Sequence, residues 1–112
     1  MAGNSRQNDF PYAFPAYLSP ILRILRDGED HPIQEIRQLI LAEYPLTPEQ
    51  LSLRRTGHNV DVFINKVALA FNRLVFHKAI LAGQTVPGSY RITDHGREIL
   101  KRHPDDARER DL

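Results

Sequence analysis

The stretch DVFINKVALAFNRLVFHKAILAGQTVPGSYRIT, residues 61–93, carries two periodicities in immediate succession. At 100° per residue, Phe63, Val67, Ala70, Phe71 and Leu74 fall on one side of a helix running from about Asp61 to His77. Asn65, Lys66, Asn72 and Arg73 fall on the opposite side, together with Leu69 and Phe76. Beyond Ile80 the pattern changes. Ile80 to Val86 and Ser89 to Thr93 flank Pro87-Gly88, the mark of a β-hairpin. In its second arm Tyr90 and Ile92 alternate with Ser89 and Arg91, which puts the first pair inward and the second in solvent.

Upstream, Ser19-Pro20 reads as an N-cap and first-turn pair, with a start near Pro15 as the alternative. Tyr17, Leu18, Ile21, Leu22 and Leu25 keep helical spacing until Asp27-Gly28 stops it. His31-Pro32-Ile33 can pair as a minor strand. A second helix follows, with Ile33, Ile36, Leu39 and Ile40 on one face, and it ends near Tyr44 because a residue before proline is pushed out of the α region. In Thr47-Pro48-Glu49-Gln50, Thr47 caps, Pro48 takes the first helical position and Gln50 completes a capping box; this short helix must end by Gly57. Thr93 caps a last helix reaching about Arg102, with Ile99 and Leu100 inward. The expected organisation is an arm over residues 1–14, a folded domain over 15–103 and a charged linker or tail over 104–112 that does not pack alone. Helix, minor strand, helix, helix, hairpin, helix is the order of a mainly α (α+β) winged helix-turn-helix: a three-helix core, a C-terminal β-hairpin wing and a final helix.

Composition limits the function. The 112 residues suit one domain. No cysteine is present, which rules out a disulfide framework and fits a reducing compartment. The polar first eight residues lack the apolar core of a signal peptide, and no apolar run approaches the ~20 residues that span a bilayer. A cytoplasmic protein with no membrane partner is expected. Net charge is only +1, but it is divided. Asp27, Glu29, Asp30, Glu35, Glu43 and Glu49 face the single Arg37 in residues 27–50. Arg54, Arg55, Lys66, Arg73 and Lys78 face Asp61 in residues 54–78, and four further cations outnumber two acids in residues 87–103. Such asymmetry suits a one-sided polyanion-binding surface; chance alternation of solvated charges is the other reading.

From Phe14 to Arg102 the sequence resembles the N-terminal domain of the Mrr family of modification-dependent restriction endonucleases. Pro15-Ala-Tyr-Leu-Ser-Pro-Ile-Leu-Arg-Ile-Leu-Arg-Asp-Gly28, with His31 shortly after, looks like the family's opening helix. Leu46-Thr-Pro-Glu-Gln-Leu51 looks like its inserted short helix, and Gly57 through Asn65-Lys66-Val67 like its run from a glycine into an Asn-Arg-Val helix. Gly88-Ser-Tyr-Arg-Ile-Thr-Asp-His-Gly-Arg-Glu-Ile-Leu100 resembles the wing-to-helix signature and is the most specific of the four. The family usually has Arg at position 66, Trp at 69 and Ala-Gly-Leu-Leu at the helix end, where this chain has Lys66, Leu69 and His77-Lys78-Ala79-Ile80. The resemblance implies a double-stranded DNA-targeting module, with methylated DNA as the suggested target. It also implies a PD-(D/E)xK nuclease domain in full-length relatives. No such motif is found here, so no catalytic residue and no enzyme activity are expected of this chain.

The expected DNA contacts start at the front of the third main helix. Backbone N–H groups of Gly57-His58-Asn59 favour phosphate, so His58 and Asn59 are candidates. Asn65 and Lys66 project into what would be the major groove, with Arg73 farther along. Arg54 and Arg55 either meet phosphate or cap the short helix's carbonyls. Ser89 and Arg91 share the wet face of the wing. Leu69 and Phe76, seven apart and apolar on the outward side, are a protein interface (a second copy, the aromatic arm containing Phe10, Tyr12 and Phe14, or a nuclease domain) more readily than a thymine-methyl contact. His31, His58, His77, His95 and His103 are scattered, so no metal and no cofactor are expected. The alternatives to DNA targeting are a protein-interaction or dimerisation module and a small stand-alone transcription regulator, which would need a homodimer and a palindromic site.

Overall fold

The computed structural model describes residues 12–53, 61–83 and 86–112. A 3₁₀ turn, Phe14–Tyr17, runs directly into α1, Leu18–Ile24. There follow β1 (His31–Pro32), α2 (Ile33–Glu43), α3 (Pro48–Leu51), α4 (Val62–Phe76), β2 (Ile80–Ala82), β3 (Ser89–Ile92), α5 (Asp94–Arg102) and a closing 3₁₀ turn, Glu109–Asp111. The fold is mainly helical α+β with one three-stranded antiparallel sheet in the order β1-β3-β2. β3 is central: Ile92 faces Ile80, and Tyr90 lies opposite Ala82 on one side and His31 on the other. The expected strand beginning at Ile80 is shorter than its apolar run, ending at Ala82.

Helix spacing predicts the core well. Phe63, Val67, Ala70, Phe71 and Leu74 of α4 are all buried, as are Ile36 and Ile40 of α2. Leu39, read as part of the same α2 face, stays 44% exposed. Around Tyr17, the Tyr12, Tyr44 and Phe63 rings lie edge-on at 5.3–6.3 Å, a favoured aromatic geometry. Tyr12 and Phe14, assigned to the arm, are thus packed on the domain; Phe10 lies outside the described residues.

The caps follow the local code. Gln50 N–H donates to the Thr47 hydroxyl at 3.1 Å and Thr47 N–H donates to Gln50 Oε1 at 2.9 Å, closing the capping box. Gly96 N–H donates to Thr93 Oγ1 at 3.0 Å at the start of α5. A Cβ on Gly96 would collide with the Ala79 carbonyl and come within 2.8 Å of Ile92 Cγ1, so glycine here lets α5 sit against the sheet.

Two expectations about polar groups are corrected. Ser19 is not an N-cap, because the chain is already helical before it. It is buried, its hydroxyl donating to the His103 carbonyl at 2.7 Å and accepting from Ala107 N–H at 2.9 Å. Residues 104–112 do not hang free. Ala107 is 1% exposed, Leu112 packs on the core, and Arg23 donates to both the Pro104 carbonyl and Asp105. Charge made this segment look solvated, but it folds back because Ser19 and Arg23 supply partners for its backbone.

The end of α4 explains a departure from the family pattern. Lys78 adopts φ +61°, the left-handed conformation that ends helices, while Ala79 N–H donates to the Leu74 carbonyl at 2.8 Å. The family's glycine falls at this position, so the geometry is kept and the lysine bears the strain of a Cβ there, about 1–2 kcal/mol. Lys78→Gly should therefore stabilise the domain by about 1 kcal/mol, less than the full relief because glycine also frees the unfolded chain. Thermal denaturation should show a midpoint higher by about 4 °C, and Lys78→Val should lower it. A lower midpoint for Lys78→Gly would mean that the left-handed turn is not strained.

Candidate nucleic-acid interface

α4 turns one stripe to the core and leaves the other outward, so the expected contact residues are sorted by which flank they occupy. Asn65 and Lys66, in the first turns, are half-buried. Among the described residues Lys66 has no hydrogen-bond or ion-pair partner. Asn72 is exposed one to two turns farther on. Arg73 is different. Its guanidinium stands 5.9 Å over the Phe14 ring, and Nε lies 2.9 Å from Glu109 Oε2. That Nε is buried and the carboxylate lies off its N–H axis, so the contact is an ion pair and not a hydrogen bond. Arg73 is occupied by its own chain.

The wing residues are also placed differently from expectation. Ser89 is 1% exposed, not on a wet face: its hydroxyl donates to the Val86 carbonyl, and β1 covers that edge of β3 through the Pro32 pairing. Alternation separates the two faces of β3 but does not reveal that Asp30, in the loop before β1, lies against the polar one. Tyr90 is half-buried against Phe71, with ring centroids 4.8 Å apart. Arg91 reaches Asp30, whose side chain is only 5% exposed, and Nε donates to Oδ1 at 2.7 Å. That hydrogen bond, then the Asp30 charge itself, raises the arginine's pKa further. Arg91 thus ties the wing to the α1–α2 loop. Arg54, Arg55, His58 and Asn59 lie outside the described residues.

Next to this tie, His31 sits between two carboxylates. Its Nε2 is 2.9 Å from Asp27 Oδ1, and Nδ1 pairs with Glu35. Burial acts against the charged imidazole, but the hydrogen bonds to Glu35 and Asp27 outweigh it and raise the pKa above 6.5. Asp27 is held below 3.8 by the Glu29 backbone N–H and then by His31. This cluster and the Asp30–Arg91 pair anchor the start of β1, and with it the central strand.

The apolar pair is unequally exposed. Leu69 is half-buried; Phe76 is 75% exposed and meets the His77 ring edge-on at 5.0 Å. Ile64 and Val75, at 36% and 40%, extend the outward apolar area. Their spacing of eleven, three helical turns, puts them on one line and is the signal in sequence that the Leu69–Phe76 reading left unused. Among the described residues no group of His, Asp or Glu is arranged to hold a metal ion, and no helix is long and apolar enough to cross a membrane.

In comparison with known families, the Mrr N-terminal domain matches residues 14–102. No curated protein and no solved structure matches.

Two outcomes follow from the wing anchor. Arg91→Ala should lower the melting temperature because it removes the arginine from a nearly buried Asp30 carboxylate, and adding Asp30→Ala should restore part of the loss; equal or additive losses would show that the pair is not coupled. The His31 contribution is complete below pH 6.5 and is lost as pH rises above that value through the raised folded pKa. Asp27, with a lowered one, contributes above pH 3.8. The melting-temperature gap between the native chain and His31→Gln should therefore be widest between pH 3.8 and 6.5 and shrink at higher pH. A gap that widens with pH would contradict the charged cluster.

Proposed function

The chain belongs to the Mrr N-terminal domain family, and on that premise we propose that this restriction-system-related module is a winged helix that docks on double-stranded DNA. The observation that carries the reading is α4. It is backed by the sheet, its first turns present Asn65 and Lys66, and Lys66 has no partner among the described residues. The succession of α1, β1, α2 and α4 followed at once by the β2–β3 hairpin supports the winged-helix assignment, with β3 paired to both other strands as a wing requires. Helix-turn-helix domains insert the front of such a helix into the major groove, where asparagine can pair with adenine and lysine with guanine.

On this reading the wing touches the duplex less than its charge implies. Arg91 would have to leave Asp30 to reach a phosphate, and Ser89 is enclosed. Affinity then rests on Lys66, with Arg54 and Arg55 as further candidates. Chemistry belongs to a nuclease domain of the PD-(D/E)xK type elsewhere in the polypeptide, and methylated DNA remains the target implied by the family.

A second reading is favoured by one observation, the 75% exposure of Phe76 beside Val75. A large aromatic left in water on a helix face marks a protein contact, either a second copy or the nuclease domain. The two readings are compatible, because Asn65 and Lys66 sit at one end of α4 and Phe76 at the other.

The isolated chain should bind duplex DNA at roughly micromolar or weaker Kd, with affinity falling as salt rises. Lys66→Ala should reduce the slope of log affinity against log salt by about 0.9, the share of one phosphate contact. Titration of matched duplexes, unmodified and carrying methyladenine or methylcytosine, at two salt concentrations measures this directly. Salt-independent binding, or a slope untouched by Lys66→Ala, would remove α4 from the interface. Plasmid incubated with the chain and Mg²⁺ should stay intact.

A further inference from the structure

Arg73 follows Lys66 by seven residues, so the two share one side of α4 about 10.5 Å apart. A major groove is about 12 Å wide, and a helix with its front turns at the base edges can carry a cation on that line to a backbone phosphate. Arg73 is placed for such a contact, but the Glu109 carboxylate already stands there, 2.9 Å from Nε.

Glu109 is held in that position by its neighbours in sequence. It belongs to residues 103–112, beyond the stretch 14–102 that matches the family. Before it, Ala107 N–H donates to Ser19 Oγ at 2.9 Å, and Arg23 donates to the Pro104 carbonyl at 2.6 Å and to Asp105 at 2.9 Å. After it, Asp111 accepts from Arg108 N–H at 2.8 Å and pairs with His103 Nε2 at 3.4 Å. The 3₁₀ turn Glu109–Asp111 lies between these anchors.

The contact itself is built to open. The Arg73 and Glu109 side chains are 44% and 47% exposed, and an ion pair so wet is weakly held. Phe14 under the guanidinium keeps the arginine presented when the carboxylate leaves. A duplex offers many phosphates against one carboxylate and releases counterions as each is neutralised.

We propose that residues 103–112 form an autoinhibitory strap: Glu109 occupies Arg73 in the place of a backbone phosphate and must let go before α4 seats fully on a duplex. The inference rests on the DNA-docking reading. The buried anchor at Ala107 stays in place, and the turn after it moves.

The test measures duplex affinity and its salt dependence for the native chain, Glu109→Gln, Arg73→Gln and the double variant, with melting temperatures to establish that each is folded. Glu109→Gln should tighten low-salt binding about two- to fivefold and steepen the slope of log affinity against log salt by about 0.9, one phosphate contact. Arg73→Gln should change the affinity of the native chain by less than about twofold, because that cation is already taken, yet erase the gain in the Glu109→Gln background. In the native chain, the Glu109 and Arg110 amide resonances should shift when duplex is added while Ala107 stays put, a readout that needs no variant. A gain that persists without Arg73 is general charge repulsion and overturns the strap. A Glu109→Gln chain that binds like the native one, or a turn whose resonances ignore the duplex, overturns it too and leaves the docking reading intact. Binding that appears only with Glu109→Gln supports both. No duplex binding by either chain overturns the docking reading, and the strap with it.

Discussion

Everything in this small domain is arranged around the burial of α1. Tyr17, Leu18, Ile21, Leu22 and Leu25 have no exposed surface, and Ser19 and Pro20 between them are buried too. Each large apolar side chain so placed contributes roughly 1.5–3 kcal/mol. A helix enclosed on nearly all sides needs cover from more than one direction, and α2, α4 and α5 each supply a side. Enclosure has a polar consequence: a serine inside such a helix must find partners within the protein. Ser19 finds them in the His103 carbonyl and the Ala107 N–H, which draws the chain after α5 back across the domain. A segment with six charged residues among the last nine is thereby held by one buried hydroxyl, with Arg23 beside it.

Charge placement obeys a second constraint, that of tying distant pieces of a short chain together. Arg91 joins the central strand to Asp30, Arg73 joins α4 to Glu109, and Arg23 joins α1 to both Glu43 and Asp105. Two cations of the basic half, Arg73 and Arg91, are thus spent on internal pairs. The net of +4 counted over residues 54–78 overstates the field a ligand would meet, because Arg73 is already neutralised. What remains of α4's own polar face is Lys66 with Asn65 and Asn72. That is a small cationic footprint, suited to docking whose strength depends on few phosphate contacts.

Local code was legible and long-range pairing was not. The Thr47–Gln50 capping box, the Thr93 cap and the α4 core stripe depend on residues within a few positions of one another, and each is found as its spacing predicts. The assignments that had to be revised depend on contacts made far along the chain. Arg91 and Asp30 are 61 residues apart, and Ser19 and Ala107 are 88 apart. Alternation puts Ser89 and Arg91 on one face of β3, yet nothing in those residues says that Asp30, from the loop before β1, will lie against it. The site is less legible than the fold for the same reason. An arginine in solvent and an arginine in an ion pair look alike in sequence.

α4 shows how the two kinds of information combine. Its outward side bears Lys66 and Asn65 near one end and Val75 and Phe76 near the other, with Leu69 between. The DNA-docking proposal uses the polar end of this side, and the protein-contact reading uses the end where a phenyl ring is left three-quarters exposed. The left-handed Lys78 fixes where the helix stops, so Phe76 sits on the last turn and cannot slide toward the polar end. Polar and apolar ends are therefore held apart by the rigid length of the helix, about 21 Å between residues 62 and 76 at 1.5 Å per residue. One helix can then face a polyanion at its start and an apolar partner at its end without either contact excluding the other.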